Sequence, residues 1–403
     1  MKRNLKFGFK QTIYAGYVGY IVQAIVNNLA PLLFLIFQDE FSIEISKITL
    51  IVTANFLIQL GVDYLSTKFV DKIGYRTCIV AAHIFSAAGL VGLAVFPQIF
   101  PTPYFGIMTA VVIYALGGGL IEVLISPIIE ACPTENKAAQ MSLLHSFYCW
   151  GSVAVVGIST LFLHFVGKSN WQILVLLWAI VPILNGLFFT AVPINTLTED
   201  GEGMSNKELF KNKTFWLFVL LMVASGASEQ AMSQWASAFA ESGLNVSKTV
   251  GDLAGPCMFS LLMGTSRVVS AKIEKHISLN KLMIGSGVLC IASYLIAALC
   301  SSPVLALAGC GLCGLSVGVL WPGTFSLASK NFKRGSTALF ALLALAGDLG
   351  CTAGPTLVGE IAGKSSDSIK NGLLIAVIFP ILLIIACVIE NKTSKKADTS
   401  LKN

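Results

Sequence analysis

Along the chain, long apolar runs alternate with short polar turns. A helix crossing a hydrocarbon layer of roughly 30 Å needs about 20 apolar residues. Stretches that meet this length run over 12–37, 48–69, 77–96, 104–130, 139–166, 170–192, 214–240, 252–274, 280–300, 303–328, 335–362 and 371–390. Several exceed a perpendicular crossing, which implies tilt or protrusion into the interface. The first has no small-residue cleavage site and is too long for a signal peptide, so it is read as a retained helix. The expected fold class is an all-α membrane protein with twelve transmembrane helices.

The longest polar segment, 195–213, carries Glu199, Asp200, Glu202, Lys207, Glu208, Lys211 and Lys213. It is read as a cytoplasmic linker between a six-helix half over 1–194 and a second half, with its tail, over 214–403. An internal repeat supports the division. Gly119, Glu122, Ser126 and Pro127 in the fourth stretch match Gly314, Val317, Trp321 and Pro322 in the tenth at equal intervals. Ala139, Leu143, Leu144 and Gly151 match Ala338, Leu342, Leu343 and Gly350 in the fifth and eleventh. Halves related in this way form a known transporter plan, with the solute site between them at mid-membrane.

Composition sharpens the picture. Hydrophobic residues make up 55% of the 403 positions and charged residues 12%, against about 25% charged in soluble domains. The net charge of +6 would suit a nucleic-acid partner, but the basic residues are segregated. All but five of the 27 Lys and Arg fall on one side: the N-terminal Lys2, Arg3, Lys6 and Lys10, the turns after even-numbered helices, and the tail after Lys392. The exceptions are Lys47, Lys168, Lys248, Lys364 and Lys370. This positive-inside asymmetry places both termini in the cytoplasm and the chain in the plasma membrane, with lipid rather than nucleic acid around it. Of ten cysteines, Cys310 and Cys313 form the one Cys-x-x-Cys, inside a glycine-rich apolar helix without a second pair, and are read as packing residues. No metal, organic cofactor, nucleotide-binding loop or nucleophile with a paired base is expected, so the chain is not read as an enzyme.

An ionisable side chain inside the bilayer costs roughly 2.5 to 3.5 kcal/mol on insertion scales, so each needs a partner, a wet cavity or a function. Asp63, Glu122, Glu229, Arg267 and Asp348 lie inside expected helices. Glu122 and His145 reach similar depth on antiparallel neighbours joined by the short turn at 132–137. A carboxyl there can load and release a proton as water access alternates; the alternative is a structural salt bridge to Arg267. Asn55, Gln59 and Asp63 recur every four residues on one helix face, suited to Na⁺, to a hydroxylated solute, or to a polar seam between helices. Asp348 can share a cavity with Asp63, or serve as a hinge charge beside Gly347 and Gly350.

Glu229, Gln230, Ser233, Gln234 and Trp235 bring amides and an indole face to the seventh helix. Tyr20, Gln23, Asn27 and Asn28 bring similar groups to the first, which Pro31 interrupts. Amides that hydrogen-bond hydroxyls beside an aromatic face suit a neutral polyol, and Trp150 and Trp321 could close such a pocket, although membrane aromatics also serve packing. His83 and His164 have no polar company at helical spacing and are read as structural.

Asp71, Lys72, Gly74, Tyr75 and Arg76 resemble the loop motif that major facilitator proteins carry between helices 2 and 3, where it latches cytoplasmic helix ends. Glu274 and Lys275 form a weaker echo without the Gly and Arg. Gly117, Gly119, Glu122, Pro127, Ala139, Ser146, Phe147 and Gly151, with Asn27, Asn28 and Leu29, resemble the fucose:proton symporter branch of that superfamily. The resemblance implies the major facilitator fold and proton-coupled uptake of a monosaccharide, with Glu122 as a protonation site. Two positions depart from the branch: its first-helix Asp aligns with Pro31, and its Asn before Pro is Ser126. Asp63, Glu229 or Asp348 could then take over coupling, or Na⁺ could replace H⁺. The function expected is secondary active transport of a small hydroxylated solute, a sugar foremost, by a monomer driven by a proton or sodium gradient. Proton-driven efflux of a drug or metabolite is the alternative within transport, and a non-transporting membrane sensor the alternative outside it.

Overall fold

The computed structural model describes residues 7–133, 137–195, 204, 206–273, 277–332, 337–363 and 368–400. Among these every regular element is helical. The chain divides into two compact units, Met1–Glu199 and Asp200–Asn403.

In the first unit α1 spans Phe9–Phe41, α2 Ile45–Ile73, α3 Tyr75–Ile99, α4 Pro103–Glu130, α5 Lys137–Val166 and α6 Trp171–Ala191. In the second, α7 spans Lys213–Gly243 and α8 covers Lys248–Asp252, Leu253–Cys257 and Met258–Ile273. Next come α9 over Leu279–Leu299, α10 over Pro303–Val317 and Leu320–Asn331, α11 over Thr337–Ala362, and α12 over Ser368–Ala376 and Ile378–Ser400. Eleven of the twelve are long and apolar enough to cross a membrane, counted among the described residues. The twelfth is α8, where a π-helical turn holding Pro256 leaves a 16-residue α-helical part that carries Arg267. The sequence places α12 at 371–390, whereas the helix continues to Ser400 because its polar end keeps helical geometry past the apolar run.

Neighbour relations repeat between the units. In the first, α1 packs on α4, α5 and α6, α3 on α4 and α6, and α2 on α4. In the second, α7 packs on α11 and α12, α9 on α10 and α12, and α8 on α10. Raising each number by six converts α1–α5, α1–α6, α2–α4, α3–α4 and α3–α6 into pairs of the second unit, so the sequence repeat is also a repeat of packing.

The first helix of each unit is broken after a run of amides. In α1 the α-helix ends at Asn28 and a 3₁₀ turn follows at Ala30–Leu33. Pro31 has no N–H to give the Asn27 carbonyl four residues back, which releases the helix at that point. In α7 the α-helix ends at Ser233, Trp235 lies at φ −101° and ψ −5°, and a π-helical turn follows at Phe239–Gly243. Interrupted helices at corresponding places in two repeats are where transporters build solute sites.

His83 proves to have polar company that helical spacing does not show. Its Nδ1 lies 2.7 Å from the Ile79 carbonyl and therefore carries the proton. Its Nε2 accepts from Asn185 Nδ2 at 2.8 Å, and the same amide donates to the Ala15 carbonyl at 3.1 Å. A neutral imidazole thus pins α1, α3 and α6 together.

Candidate functional site

In the first unit the expected polar residues of α1, α2 and α4 form one hydrogen-bonded ladder. Gln23 Nε2 donates to Gln59 Oε1 at 2.9 Å and to Glu122 Oε2 at 3.0 Å. Gln59 Nε2 donates onward to Asn27 Oδ1 at 2.9 Å, which also accepts from Asn55 Nδ2 at 3.2 Å. The amides of Gln23, Gln59 and Asn55 donate into the ladder. Its spare positions are acceptors: Gln23 Oε1 and Asn55 Oδ1, in residues 2% and 5% exposed, have no hydrogen-bond partner among the described residues. Glu122 is only half-buried, so its carboxylate retains access to its surroundings. Asp63 is buried one turn past Gln59 on the same face of α2.

Glycines allow this meeting of helices. A Cβ on Gly118 would lie 3.2 Å from the Gln59 amide, and one on Gly119 would lie 3.0 Å from the Gln59 Cα. With hydrogens there instead, α2 approaches α4 closely enough for Gln59 and Glu122 to share the Gln23 amide. Asn28, by contrast, faces α5: its Nδ2 donates to Ser152 Oγ at 3.1 Å and to the Ala24 carbonyl at 2.9 Å. Its described role is to tie α1 to α5. His145 stacks obliquely on Tyr20, with ring centroids 5.2 Å apart, and Tyr20 Oη lies 3.0 Å from Ser126 Oγ.

The second unit repeats the design with a cation at its end. Gln234 Nε2 donates to Gln230 Oε1 at 2.9 Å, and Gln230 Nε2 donates to Glu229 Oε1 at 3.2 Å. Arg267 Nη2 lies 3.6 Å from Glu229 Oε2. The guanidinium considered as a partner for Glu122 therefore has a carboxylate within its own unit. Trp235 is 1% exposed and its indole N–H donates to the Pro355 carbonyl at 2.9 Å, the contacts of a packing anchor between α7 and α11. Trp321 is half-buried and lies over Gly347, beside the buried Asp348. Trp150 is exposed.

At the N-terminal end of α3, Arg76 caps α6. It donates to the carbonyls of Phe189 at 2.7 Å, Thr190 at 3.1 Å and Val192 at 2.8 Å, where a helix C-terminus favours a cation. Gly74 precedes it at φ 92°, a conformation natural to glycine. Asn280, the second residue of α9 as Arg76 is of α3, donates to the Cys387 carbonyl at 3.1 Å and to the Glu390 carboxylate of α12. In the second unit an amide and a carboxylate therefore tie the start of α9 to the interior of α12, where in the first unit Arg76 ties the start of α3 to the end of α6. The side chains of Asp71 and Lys72, and residues Glu274 and Lys275, lie outside the described residues.

A further polar cluster lies outside those that the sequence predicts. Lys248 Nζ lies 3.1 Å from Asp252 Oδ2 and 3.9 Å from Glu241 Oε2, and donates to Ser237 Oγ at 3.3 Å, joining the end of α7 to the start of α8. The i, i+4 spacing of Lys248 and Asp252 was its sequence signal. Among the described residues no group of three His, Cys, Asp or Glu is arranged to hold a metal ion, and all ten cysteines are free thiols. Burial pushes the Cys132 thiol, just past α4, up to about 11.

The Major Facilitator Superfamily model matches residues 16–355. The membrane protein MosC of Rhizobium meliloti is 23% identical over 348 residues, which cover 85% of this chain and 80% of that protein. A D-xylose-proton symporter structure superposes with a TM-score of 0.77 at 14% identity, covering 94% of this chain and 96% of that one. The transporter FucP in its outward conformation superposes with a TM-score of 0.65 at 16% identity, covering 94% and 98%.

Proposed function

This chain belongs to the major facilitator superfamily, and we propose that it is a secondary active transporter that couples a small hydroxylated solute, a sugar foremost, to protons through Glu122. The observation that carries this reading is the shared Gln23 amide, which donates at once to the Gln59 amide and to the Glu122 carboxylate. An ionised carboxylate holds an N–H about twice as strongly as a neutral acceptor does. Protonation of Glu122 therefore loosens its hold on Gln23, and the amide becomes available to the rest of the ladder. Solute hydroxyls donating to the spare oxygens of Gln23 and Asn55 act on the same ladder from its other members. Proton and solute are then linked through one ladder, and the effect of either on the affinity for the other is reciprocal.

Further support comes from the broken first helices and from solved neighbours whose names include a xylose-proton and a fucose:proton symporter. Glu229 is the weaker candidate for coupling, since its carboxylate already serves Arg267 and Gln230 within its own unit. The segregated basic residues support a plasma-membrane location with cytoplasmic termini. Alternating exposure of the site would come from rocking of one repeat against the other.

The test is a panel of neutral sugars, polyols, nucleosides and cationic drugs in proteoliposomes under imposed proton or sodium gradients. Accumulation of a hydroxylated solute under an inward proton gradient is expected, with no response to sodium alone. Sodium-driven accumulation would overturn the coupling assignment. Extrusion of drugs alone would favour efflux, and absence of flux for every solute would favour a sensor.

A further inference from the structure

The hydroxyl and imidazole groups beside Glu122 form a file that leads from the ladder toward one end of the unit. Ser126 lies one helical turn beyond Glu122 on α4, a spacing that puts neighbouring side chains about 6 Å apart on one face, the span of a single bridging water. Its Oγ lies 3.0 Å from Tyr20 Oη. The Tyr20 ring lies against the His145 ring at 5.2 Å, tilted by 60°. His145 is half-buried, within about two turns of the N-terminal end of α5. The last turn of α4 and the first turns of α1 and α5 share that end. Tyr17, on the turn of α1 before Tyr20, accepts from Gln140 of α5 and stacks on Phe147 at 4.2 Å, which keeps α1 and α5 in register there.

Each member of the file can both give and take a proton, whereas of the residues framing it Phe147 offers a ring, Gln140 an amide, and Tyr17 a hydroxyl engaged by that amide. We propose that Ser126, Tyr20 and His145 relay the Glu122 proton between the ladder and water at this end of the unit. The inference rests on the proton reading of Glu122. In the releasing direction the Glu122 O–H bond breaks and its proton passes through one water to Ser126 Oγ. Ser126 passes its own hydroxyl proton to Tyr20 Oη, and Tyr20 passes its own, through a second water beside the two rings, to an unprotonated imidazole nitrogen of His145. The imidazolium releases the proton on its other nitrogen to water, leaving Glu122 as a carboxylate. One proton moves in total, no electron is transferred, and rotation of the two hydroxyls with return of the imidazole proton resets the file. Pro127 adds an acceptor for the bridging water, because it lacks the N–H that would otherwise occupy the Val123 carbonyl.

The probe is the proton itself. Time-resolved infrared spectroscopy of the purified protein after a pH jump follows the carboxylic C=O band assigned to Glu122 by its disappearance in Glu122→Gln. Tyr20→Phe and Ser126→Ala, which remove one hydroxyl each, and His145→Phe, which keeps a ring against Tyr20, are expected to slow that band about tenfold or more. Its final amplitude should be unchanged, a separation that a merely structural role would not produce. Wild-type rates in the folded variants would overturn the relay even if Glu122 titrates. A carboxyl band that survives Glu122→Gln, with none lost, would instead overturn the proton reading beneath it. Because three independent variants report on the file, misfolding of one leaves the test intact.

Discussion

Replacing Glu122 with Gln is expected to abolish concentrative uptake while leaving solute counterflow exchange in place. The substitution conserves shape and keeps one oxygen to accept from Gln23 Nε2, which lies 3.0 Å from the native carboxylate. It removes the one group of the ladder that changes charge. Exchange of solute for solute needs the site to reorient when occupied and moves no net proton, so it survives. Accumulation against a gradient needs the proton to be bound on one side and released on the other, so it falls to the level of protein-free vesicles. Accumulation at wild-type levels in the variant would remove Glu122 from the coupling role.

The second large effect concerns the fold of the second unit. A Cβ on Gly350 of α11 would lie 2.8 Å from the carbonyl carbon of Val223 and 2.9 Å from the Ala227 nitrogen, both backbone atoms of α7. On Gly354 it would lie 2.5 Å from the Ala227 carbonyl oxygen. Backbone cannot rotate aside as a side chain does, so relief requires the two helices to separate along their whole contact. Gly350→Val is expected to destabilise the protein by about 3 kcal/mol, read as a lowered melting midpoint in detergent. Gly61→Ala and Gly285→Ala, where a new Cβ meets nothing within 4 Å, should leave the midpoint unchanged. Equal melting of Gly350→Val and these controls would mean that the α7–α11 contact tolerates separation.

The helices were legible because the bilayer imposes one physical requirement on every crossing, a long apolar run with internally satisfied backbone. Helix α8 is the instructive exception, since Pro256 and a π-helical turn interrupt a run that hydropathy reads as continuous. Within the candidate site, spacing on one helix was informative: Asn55 and Gln59 do share a face and a common acceptor in Asn27. Pairings between helices were not legible. Gln23 stood in the sequence as one amide among several, and only the approach permitted by Gly118 and Gly119 makes it the link between Gln59 and Glu122. Trp235 looked like a stacking surface because its neighbours are amides, yet its indole N–H is taken by Pro355, 120 residues away. The Asn280–Glu390 pair was hidden because its two partners lie 110 residues apart and only the packing of α9 on α12 brings them together.

The linkage through Gln23 is tested most directly by calorimetric titration of the purified protein with its transported solute in two buffers of different ionisation enthalpy. The difference in heat reports protons taken up per solute bound. Wild-type protein is expected to take up protons on binding, and Gln23→Leu, with Glu122 intact, to bind solute without them. Proton uptake by Gln23→Leu equal to that of the wild type would contradict a coupling carried by this amide.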